Sequence, residues 1–298
     1  MPHLNPHCWI CGSENVQLEK PSNIASPLTS KSFSITDSHY GVTAAIYRCP
    51  ACHFLQCSDL AETLPFYENL VDPDYEAGRK ERSAQARRIL ELLRKHRPRG
   101  RLLDIGAGSG MLVEQAIHMG YEAEGVEPSA WLQAMALERN LPVRLGTFPL
   151  PGASSQYDIV TLIDVVEHVS DPVRLLQDIA GSLSKDGIAI IVTPDVGSVA
   201  ARMFGWRWWH FRVAHVGYFN ERTLLLALGR AGLDPIFVRR PVWFFSADYL
   251  WVRLHQYLPK FLRLPQPRFL KTLVIPVNLR DSLLIGCMRK PPTAGSAA

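Results

Sequence analysis

The sequence lacks several features that would assign it to a class of protein at once. No uninterrupted apolar run in its 298 residues reaches the roughly 18 residues of a membrane-spanning helix. The first residues, Met1-Pro2-His3-Leu4-Asn5-Pro6, lack the basic region and apolar core of a secretion signal, so we expect a cytoplasmic protein. A net charge of only +4 does not demand a nucleic-acid partner, because nucleic-acid-binding domains carry larger, clustered positive charge.

Cysteine is also scarce, with six residues, but four of them form two C-x-x-C pairs, Cys8 with Cys11 and Cys49 with Cys52. Each pair places two thiolates on one tight turn, and two turns supply the four soft tetrahedral ligands that zinc prefers. Disulfides are the alternative, but a chain without a secretion signal would meet a reducing cytosol. The pattern predicts a zinc ribbon over residues 1–58, whose metal is structural because four cysteines leave no open position for a catalytic water.

A glycine-rich turn at residues 102–110, Leu-Leu-Asp-Ile-Gly-Ala-Gly-Ser-Gly, is the most informative segment. The apolar start predicts a buried strand that ends near Asp104, and residues 111–119 favour a helix that follows at once. Glycine lets the backbone pass close to a ligand without a Cβ clash, and the helix start offers unpaired N–H groups. The segment therefore predicts a ligand held against main chain.

The spacing of this turn distinguishes between two cofactor classes. A dinucleotide-binding turn needs G-x-G-x-x-G, whereas this chain has G-x-G-x-G preceded by Asp104. A carboxylate there would repel a pyrophosphate and attract the ammonium group of S-adenosylmethionine. A second predicted strand, 123–127, ends in Glu127, which can accept hydrogen bonds from both ribose hydroxyls. The pattern favours S-adenosylmethionine.

With residues 157–169 and 187–195, which follow in order, the chain resembles the class I S-adenosylmethionine-dependent methyltransferases. The resemblance implies an α/β fold: a seven-stranded Rossmann-like sheet with helices on both faces, an antiparallel seventh strand, and ligands at the carboxyl ends of strands. Phe148 either stacks on the adenine or caps the core, and Asp164 meets the methionyl part or the acceptor. The implied cofactor-binding residues are Asp104, Gly106, Ala107, Gly108, Gly110, Glu127, Pro128, Phe148 and Asp164.

The remaining chain divides into attachments around this core. Residues 59–82 are a polar connector whose Tyr67 and Tyr75 either cover the cofactor or pack against the core. The methyltransferase domain is expected over 83–298. It carries an aromatic lid at 197–217 and an insertion at 241–280. The insertion has a basic amphipathic character, which is typical of helices that contact a membrane surface. It is equally typical of helices that pack on their own protein or on a dimer mate.

Methyl transfer is an in-line displacement at an activated carbon, so the enzyme mainly aligns the reactants and excludes water. An oxygen nucleophile gains from a general base, and histidine serves near neutral pH. His215 is our choice of base. His168, which follows the fourth strand of the fold, and His210, on the lid, are the alternatives.

The leading hypothesis is an O-directed methyltransferase for a small-molecule or glycan acceptor, because the ribbon, core and insertion together resemble bacterial enzymes of cell-surface glycan and small-molecule pathways. One alternative is an RNA methyltransferase in which the ribbon and the basic run 79–101 bind phosphates. If the protein does not bind RNA, we expect the same run to form a solvated helix face. Another is a non-catalytic zinc-ribbon interaction protein with a degenerate core, which the intact Asp104, glycines and Glu127 disfavour.

Overall fold

The computed structural model describes residues 7–151, 156–257, 270 and 273–290. Its strands, in chain order, are β1 (Gln17–Lys20), β2 (Ile46–Arg48), β3 (Leu55–Gln56), β4 (Arg101–Ile105), β5 (Glu122–Glu127), β6 (Val143–Leu145), β7 (Tyr157–Ile163), β8 (Leu183–Pro194), β9 (Gly217–Tyr218), β10 (Leu233–Arg239), β11 (Trp243–Ser246), β12 (Val274–Val277) and β13 (Ser282–Arg289).

The helices alternate with the strands through the central part of the chain. They are α1 (Leu64–Glu68), α2 (Pro73–Ala77), α3 (Arg79–Leu93), α4 (Met111–His118), α5 (Ala130–Leu137), α6 (Pro172–Ser182), α7 (Val199–Phe204), α8 (Glu221–Arg230) and α9 (Ala247–Tyr257). Short 3₁₀ turns include Val166–His168 directly after β7. Within the described part of the chain, every helix is too short or too polar to traverse a lipid bilayer.

A seven-stranded mixed sheet, ordered β10-β13-β8-β7-β4-β5-β6, forms the centre of the fold. Strand β4 pairs in parallel with β5 and β7, and β7 pairs in parallel with β8. Strand β13 is antiparallel to both of its neighbours, β8 and β10. The predicted α/β fold, with seven strands and an antiparallel last strand, is confirmed. Strands β5 and β6 lie on one side of β4, and β7 and β8 lie on the other, so the strand order reverses at β4. The glycine turn therefore lies at the position where α/β sheets bind ligands.

Both faces of this sheet are buried, because successive side chains of a strand point to opposite faces. Leu102 and Ile159 belong to one apolar cluster, which includes residues of α3 and α4. Leu103 and Val160 belong to a second cluster, with residues of α6 and α8. The continuous apolar runs of β4 and β7 are therefore the sequence signature of strands covered by helices on both sides.

Helix α8 shows how local sequence sets one of these boundaries. The side chain of Asn220 accepts a hydrogen bond from the backbone N–H of Thr223, and the Thr223 hydroxyl accepts one from the backbone N–H of Asn220. This reciprocal pair satisfies donors that a helix start leaves unpaired. Asn220 therefore caps helix α8, which begins soon after the predicted lid.

A second sheet joins the amino-terminal cysteine region to the lid. Its order is β1-β2-β3-β9, so β9, at the end of the predicted lid, completes the sheet begun by the ribbon. Gln56 pairs with Gly217 and Leu55 with Tyr218. The ribbon is consequently attached to the segment next to the site rather than tethered by its connector alone.

The predicted insertion contains a small sheet and a helix. Strand β11 pairs with β12 in an antiparallel hairpin, and α9 follows β11 directly. Arg253 on α9 lies over the rings of Tyr249 and Tyr40, and its guanidinium donates to the backbone carbonyl of Thr36 at 2.6 Å. Much of the predicted basic amphipathic surface, 258–269 and 271–272, lies outside the described residues. The domain boundaries and the membrane contact stay predictions.

Candidate active site

The turn after β4 adopts the backbone conformation that its glycines predict. Gly106, Gly108 and Gly110 have φ values of 73°, 54° and 77°, in the left-handed region that favours glycine. A Cβ on Gly108 would lie 2.5 Å from the hydroxyl oxygen of Tyr75, and one on Gly110 would lie 2.8 Å from a methyl carbon of Leu141. The absence of a side chain at Gly108 therefore lets a ligand or Tyr75 approach the backbone from the cleft. The absence of one at Gly110 lets the start of α4 pack closely on Leu141 and its neighbours.

Two buried carboxylates flank this turn. Thr161 donates its hydroxyl to Oδ1 of Asp104 at 2.6 Å. Glu127 accepts backbone hydrogen bonds from Gly108 and Ser129, each at 2.8 Å. Burial raises the pKa of both groups to about 7, against the opposing effect of these hydrogen bonds. A cationic ligand in the cleft would offset the cost of keeping both carboxylates ionised.

A cleft of about 1770 Å³ opens at the carboxyl ends of β4, β5 and β7. It brings together all of the predicted cofactor-binding residues except one, and all three candidate catalytic histidines. The lining includes Asp104, Gly106, Ala107, Gly108, Glu127, Pro128, Phe148, Asp164, His168, His210 and His215. The exception is Gly110, whose contacts are with the core. A pocket for one ligand usually has a volume of roughly 300–1,000 Å³, so this cleft is large enough for two ligands.

Residues of the connector and α3 cover the turn. Tyr75 lies against Gly108, and the guanidinium of Arg82 lies 4.3 Å from the centre of the Tyr75 ring. Arg79 donates to the hydroxyl of Ser109 at 3.1 Å and to Glu114 at 2.8 Å. Arg82 lines the cleft, whereas the sequence pattern predicts only a phosphate-binding run or a solvated helix face at 79–101. The only sequence signal for this role is the short separation along the chain between Arg82 and Tyr75, a predicted cover of the cofactor.

The histidines form a compact group beside Tyr67. Nδ1 of His168 lies 2.6 Å from the Tyr67 hydroxyl and 2.7 Å from the carbonyl oxygen of Ala214. The His215 ring meets His168 edge-on, with centroids 4.8 Å apart, and stacks on His210 at 5.7 Å. His168 lies more than forty residues before His210 and His215 in the sequence, and a 2.9 Å hydrogen bond from the Val216 N–H to the Glu167 carbonyl joins the two segments.

Burial determines the protonation of these rings. It lowers the pKa of His168 to about 4, lowers that of His210, and lowers that of His215 well below the ordinary histidine value. Each ring is therefore neutral at neutral pH. A neutral imidazole with so low a pKa is a weak general base but a good metal ligand. The choice of His215 as base stays a prediction.

Glu167 is a member of the site that the sequence did not single out. It is 1% exposed, and its Oε2 accepts a hydrogen bond from the Thr193 hydroxyl at 2.9 Å. Its pKa is raised well above the usual range by burial and by the nearby Asp164. The only sequence signal was its place beside His168 in the Glu-His-Val segment after β7.

The four cysteines of the predicted ribbon converge. Sγ of Cys8 lies 3.5 Å from Sγ of Cys52, and Sγ of Cys11 lies 3.5 Å from Sγ of Cys49. All four sulfur atoms lie within 4.8 Å of one another. Zinc–sulfur bonds of about 2.3 Å in a tetrahedron separate sulfur atoms by roughly 3.8 Å, so this donor set fits zinc. Cys57 lies outside the set, with its sulfur 4.0 Å from the His215 carbonyl oxygen.

Ubiquinone biosynthesis O-methyltransferases are among the known proteins that this chain resembles in sequence. Over 165 residues the chain is 30% identical to the ubiquinone biosynthesis O-methyltransferase of Cereibacter sphaeroides, an alignment covering 51% of this chain and 66% of that protein. It is 36% identical over 100 residues to the protein of the same name from Azorhizobium caulinodans, covering 31% and 40%. The aligned part thus spans less than two thirds of these relatives' own length.

A solved methyltransferase structure has a similar fold. A chain of the complex between the Haloferax volcanii Trm112 methyltransferase activator and a methyltransferase superposes with a TM-score of 0.52 at 14% identity, covering 73% of this chain and 98% of that one. A family model described as a methyltransferase domain matches residues 77–237, more than half of the 298 residues. The chain therefore belongs to the methyltransferase-domain family, among the class I S-adenosylmethionine-dependent methyltransferases that its motifs resemble.

Proposed function

We propose that this protein transfers the methyl group of S-adenosylmethionine to a hydroxyl oxygen of a small-molecule acceptor. The observation that carries the proposal is that one cleft is lined both by the acidic glycine turn and by histidine and aromatic side chains. One end suits a cationic nucleoside cofactor, and the other suits an apolar or ring-containing acceptor. Family membership supports the cofactor class.

Each part of the cofactor has a fitting residue in the cleft. Asp104 supplies negative charge for the ammonium group. Glu127 keeps acceptor capacity for ribose hydroxyls, since each carboxylate oxygen can accept more than the one backbone hydrogen bond that it has. Phe148 and Pro128 offer apolar surface for the adenine, and Tyr75 covers the glycine turn.

The acceptor end of the cleft is predominantly aromatic. Trp209, Trp243, Phe245 and Tyr249 line it, with Arg253 as a nearby cation. Trp209 is held in place because its indole N–H donates to Asp281 at 2.9 Å. Such surfaces bind planar or sugar rings by stacking, which leaves both a small aromatic molecule and a glycan as acceptor classes. The named O-methyltransferase relatives support oxygen as the methylated atom and favour the small molecule.

Several residues of the basic run at 79–101 are engaged within the protein, which disfavours an RNA acceptor. Arg87 and Arg88 both pair with Glu91, and the Arg97 guanidinium donates to the Asp186 carbonyl at 2.6 Å. Arg79 is bound to Ser109 and Glu114. A phosphate-binding face needs cations free to meet the nucleic acid.

We further propose that the ribbon binds one structural zinc ion and positions the lid. Strand β3 pairs with β9, and the backbone N–H of Cys57 donates to the Val216 carbonyl at 2.7 Å. Val216 in turn donates its N–H to the carbonyl of Glu167 at 2.9 Å. Two backbone hydrogen bonds thus connect the ribbon, through Val216, to the backbone of Glu167 beside the cleft.

Calorimetric titration with S-adenosylmethionine and S-adenosylhomocysteine tests the proposed cofactor. We expect wild type to bind both, and Glu127→Ala to weaken binding at least about tenfold, the equivalent of 1.4 kcal/mol. Glu122→Ala is the matched control, because Glu122 lies exposed at the opposite end of the same strand. Failure of the wild-type protein to bind either compound would overturn the proposed function.

A further inference from the structure

Asp281 is a buried carboxylate that lines the cleft, with 4% of the residue exposed. It directly precedes β13 and follows Arg280, whose φ of 54° lies in the left-handed region that few residues other than glycine adopt. The backbone carbonyl of Asp281 accepts a hydrogen bond from the backbone N–H of Asp195 at 2.8 Å, which fixes this turn next to the end of β8. A buried charge in such a fixed position calls for a partner.

Two side chains of the lid meet one oxygen of Asp281. Oδ2 accepts a hydrogen bond from the Trp209 indole N–H at 2.9 Å. The same oxygen lies 3.5 Å from Nε2 of His210, so a shift of about 0.5 Å gives a hydrogen bond of ordinary length. Hydrogen bonds of catalytic groups are often long until the reactants bind. Asp281 is thus placed to hold a proton on Nε2 of His210, which leaves the lone pair of the neutral ring on Nδ1.

The ring of His210 is confined by aromatic neighbours. It meets the fully buried Trp208 edge-on, with ring centroids 4.8 Å apart, and lies nearly parallel to His215 at 5.7 Å. The side chain nevertheless lines the cleft and is 24% exposed. His210 therefore combines a fixed orientation with access to a ligand, as a proton-accepting group requires.

His168 has protein neighbours at both of its ring nitrogens. Nδ1 lies at hydrogen-bond distance from the Tyr67 hydroxyl and the Ala214 carbonyl oxygen. Nε2 lies 3.9 Å from Oε1 of Glu167. This ring is therefore built into the wall of the cleft.

His215 lacks a carboxylate partner. Among the residues that the structure describes, no carboxylate oxygen lies at ion-pair distance from its ring, and the residue is only 5% exposed. An imidazole buried in this way accepts a proton reluctantly, because burial disfavours the charged ring. Of the three rings, His210 is the one that pairs a buried carboxylate at one nitrogen with exposure to the cleft.

Asp281 and His210 lie between the two ends of the cleft. Trp209, whose indole Asp281 holds, belongs to the aromatic acceptor end. On the other side, burial raises the pKa of Asp164 to about 7, and the nearby Asp281 adds to this effect, so the two carboxyl groups are close. Asp164 directly follows β7, beside the cofactor turn of β4. The pair is therefore positioned where an acceptor hydroxyl and the methyl group of the cofactor would meet.

We propose that His210 is the general base that takes the proton of the acceptor hydroxyl on Nδ1, and that Asp281 is the positioning residue that keeps Nε2 protonated. This inference rests on the proposed function, and it favours His210 over His215, the base predicted from the sequence. Burial lowers the pKa of His210, Asp281 opposes this effect, and Arg212 adds a smaller lowering. A fixed carboxylate makes a buried imidazole a better base, because it stabilises the imidazolium that forms.

The proton and electron pairs balance in this step. The O–H bond of the acceptor breaks, and its proton passes to Nδ1 of His210. The oxygen lone pair forms the new O–C bond to the methyl group, and the C–S bond breaks with its electron pair passing to sulfur. The imidazolium keeps its Nε2 proton directed at Asp281, and the Nδ1 proton leaves to bulk water after the product departs.

The tautomer of His210 tests the role of Asp281 without any acceptor. Nitrogen–proton correlation NMR is recorded on the full-length protein with isotope-labelled histidine, and His210→Gln identifies the signal. The variant is Asp281→Asn, whose amide oxygen can still accept the Trp209 hydrogen bond but whose NH₂ group donates towards Nε2. The control is Asp186→Asn, an exposed aspartate on β8.

We expect the wild-type ring and the control to carry the proton on Nε2, and Asp281→Asn to move it to Nδ1. A wild-type ring protonated on Nδ1, or a tautomer that Asp281→Asn leaves unchanged, overturns the positioning role.

Proton transfer is tested by methylation of three probe acceptors, 4-nitrophenol, 4-nitrocatechol and 4-nitrophenyl glucoside. We expect His210→Ala to lower kcat at least about 100-fold and Asp281→Asn at least about tenfold, with KM little changed. Added imidazole should restore part of the activity of His210→Ala, because it can occupy the space of the missing ring. His96→Ala is the matched control, since His96 is exposed and lies outside the cleft.

Calorimetry with S-adenosylmethionine on the same samples shows that the variants are folded. Undiminished kcat in His210→Ala, or a loss of activity that imidazole does not restore, overturns His210 as the base and leaves the proposed function standing. A wild type that methylates none of the probes overturns the proposed function, and the tautomer measurement then still decides whether Asp281 positions His210.

Discussion

Thr161 donates its hydroxyl to Oδ1 of Asp104 across 2.6 Å, between neighbouring residues of the parallel strands β4 and β7. The bond holds the carboxylate at the start of the glycine turn and favours its ionised form, against the opposing effect of burial. A hydrogen bond to a charged group contributes about 1.5–3 kcal/mol. We therefore expect Thr161→Val to raise the pKa of Asp104 and to weaken cofactor binding.

Calorimetry at pH 7.5 should show at least a tenfold loss of S-adenosylmethionine affinity in Thr161→Val, which corresponds to about 1.4 kcal/mol. Thr161→Ser keeps the hydroxyl and should bind nearly as wild type does. Equal affinity in Thr161→Val and wild type would show that this hydrogen bond does not prepare Asp104 for the cofactor.

The pH dependence of cofactor binding should reflect Asp104 and Glu127, whose pKa values burial raises to about 7. Their ionised forms attract the cationic cofactor, so its binding lowers both pKa values and releases protons at acidic pH. Affinity should therefore fall as pH decreases through 7, by up to about tenfold per unit for each group. Titrations between about pH 5.5 and 8.5 measure this, and Asp104→Asn should show a shallower dependence.

The same two groups affect stability with the opposite sign. Their pKa values rise from 3.8 and 4.5 to about 7, so the folded protein binds their protons more tightly than the unfolded chain. Their contribution to the free energy of unfolding is therefore present at low pH and is lost as pH rises towards 7. Added S-adenosylmethionine should restore the melting temperature most at pH 8, where both carboxylates are ionised. A ligand-induced shift larger at pH 6 than at pH 8 would contradict this assignment.

Gly108→Ala tests the close approach of backbone to ligand. The substitution places a Cβ at a residue with φ of 54° and 2.5 Å from the Tyr75 hydroxyl oxygen. The strain should cost about 1–2 kcal/mol of folding stability, and the displaced Tyr75 should weaken cofactor binding more than tenfold. Gly181→Ala is the control, because that glycine lies near the end of α6 with nothing within 4 Å of the added carbon.

Denaturant unfolding and calorimetry measure these two effects separately. The control should be neutral or slightly more stable, since alanine favours a helix more than glycine does. Undiminished cofactor affinity in Gly108→Ala would mean that the turn carries no ligand on this side.

The elements that a local pattern specifies could be predicted from the sequence. The strand and turn at 102–110 and the strand ending in Glu127 follow from local pattern, because hydrophobic periodicity and glycine conformation act over a few residues. Arg82 and Glu167 could not be assigned, because their roles depend on neighbours distant in sequence: the cleft for Arg82, and His215 for Glu167.

The attachment of the ribbon to the lid could not be predicted from local sequence patterns either. A two-residue strand such as β9 carries too little pattern to be recognised, and its partner β3 lies about 160 residues earlier in the chain. Pairing over such a distance is decided by the packed fold rather than by local propensity. The cluster of four cysteines, in contrast, could be predicted, because C-x-x-C spacing places the two thiols of each pair on one tight turn.

Removal of the ribbon metal should therefore affect the distant segment that contains His215. Cys49→Ser removes one of the four thiolates, and we expect zinc content to fall from about one per chain to near zero. The pairing of β3 with β9 and the hydrogen bond from Val216 to Glu167 connect the ribbon to this segment. Amide hydrogen exchange over residues 212–219 should consequently accelerate, because these bonds lose their fixed partner.

Cofactor binding should change less than about threefold in the same variant, since the turn after β4 belongs to the central sheet and shares no strand with the ribbon. Cys287→Ala is the control: that thiol is buried in β13, far from the cysteine cluster in sequence, and its loss should leave the zinc content at about one per chain. Unchanged hydrogen exchange over 212–219 in zinc-free Cys49→Ser would show that the ribbon metal does not position the lid and that it stabilises only the ribbon itself. Faster exchange there with intact cofactor binding would mean that the metal positions the acceptor side of the cleft.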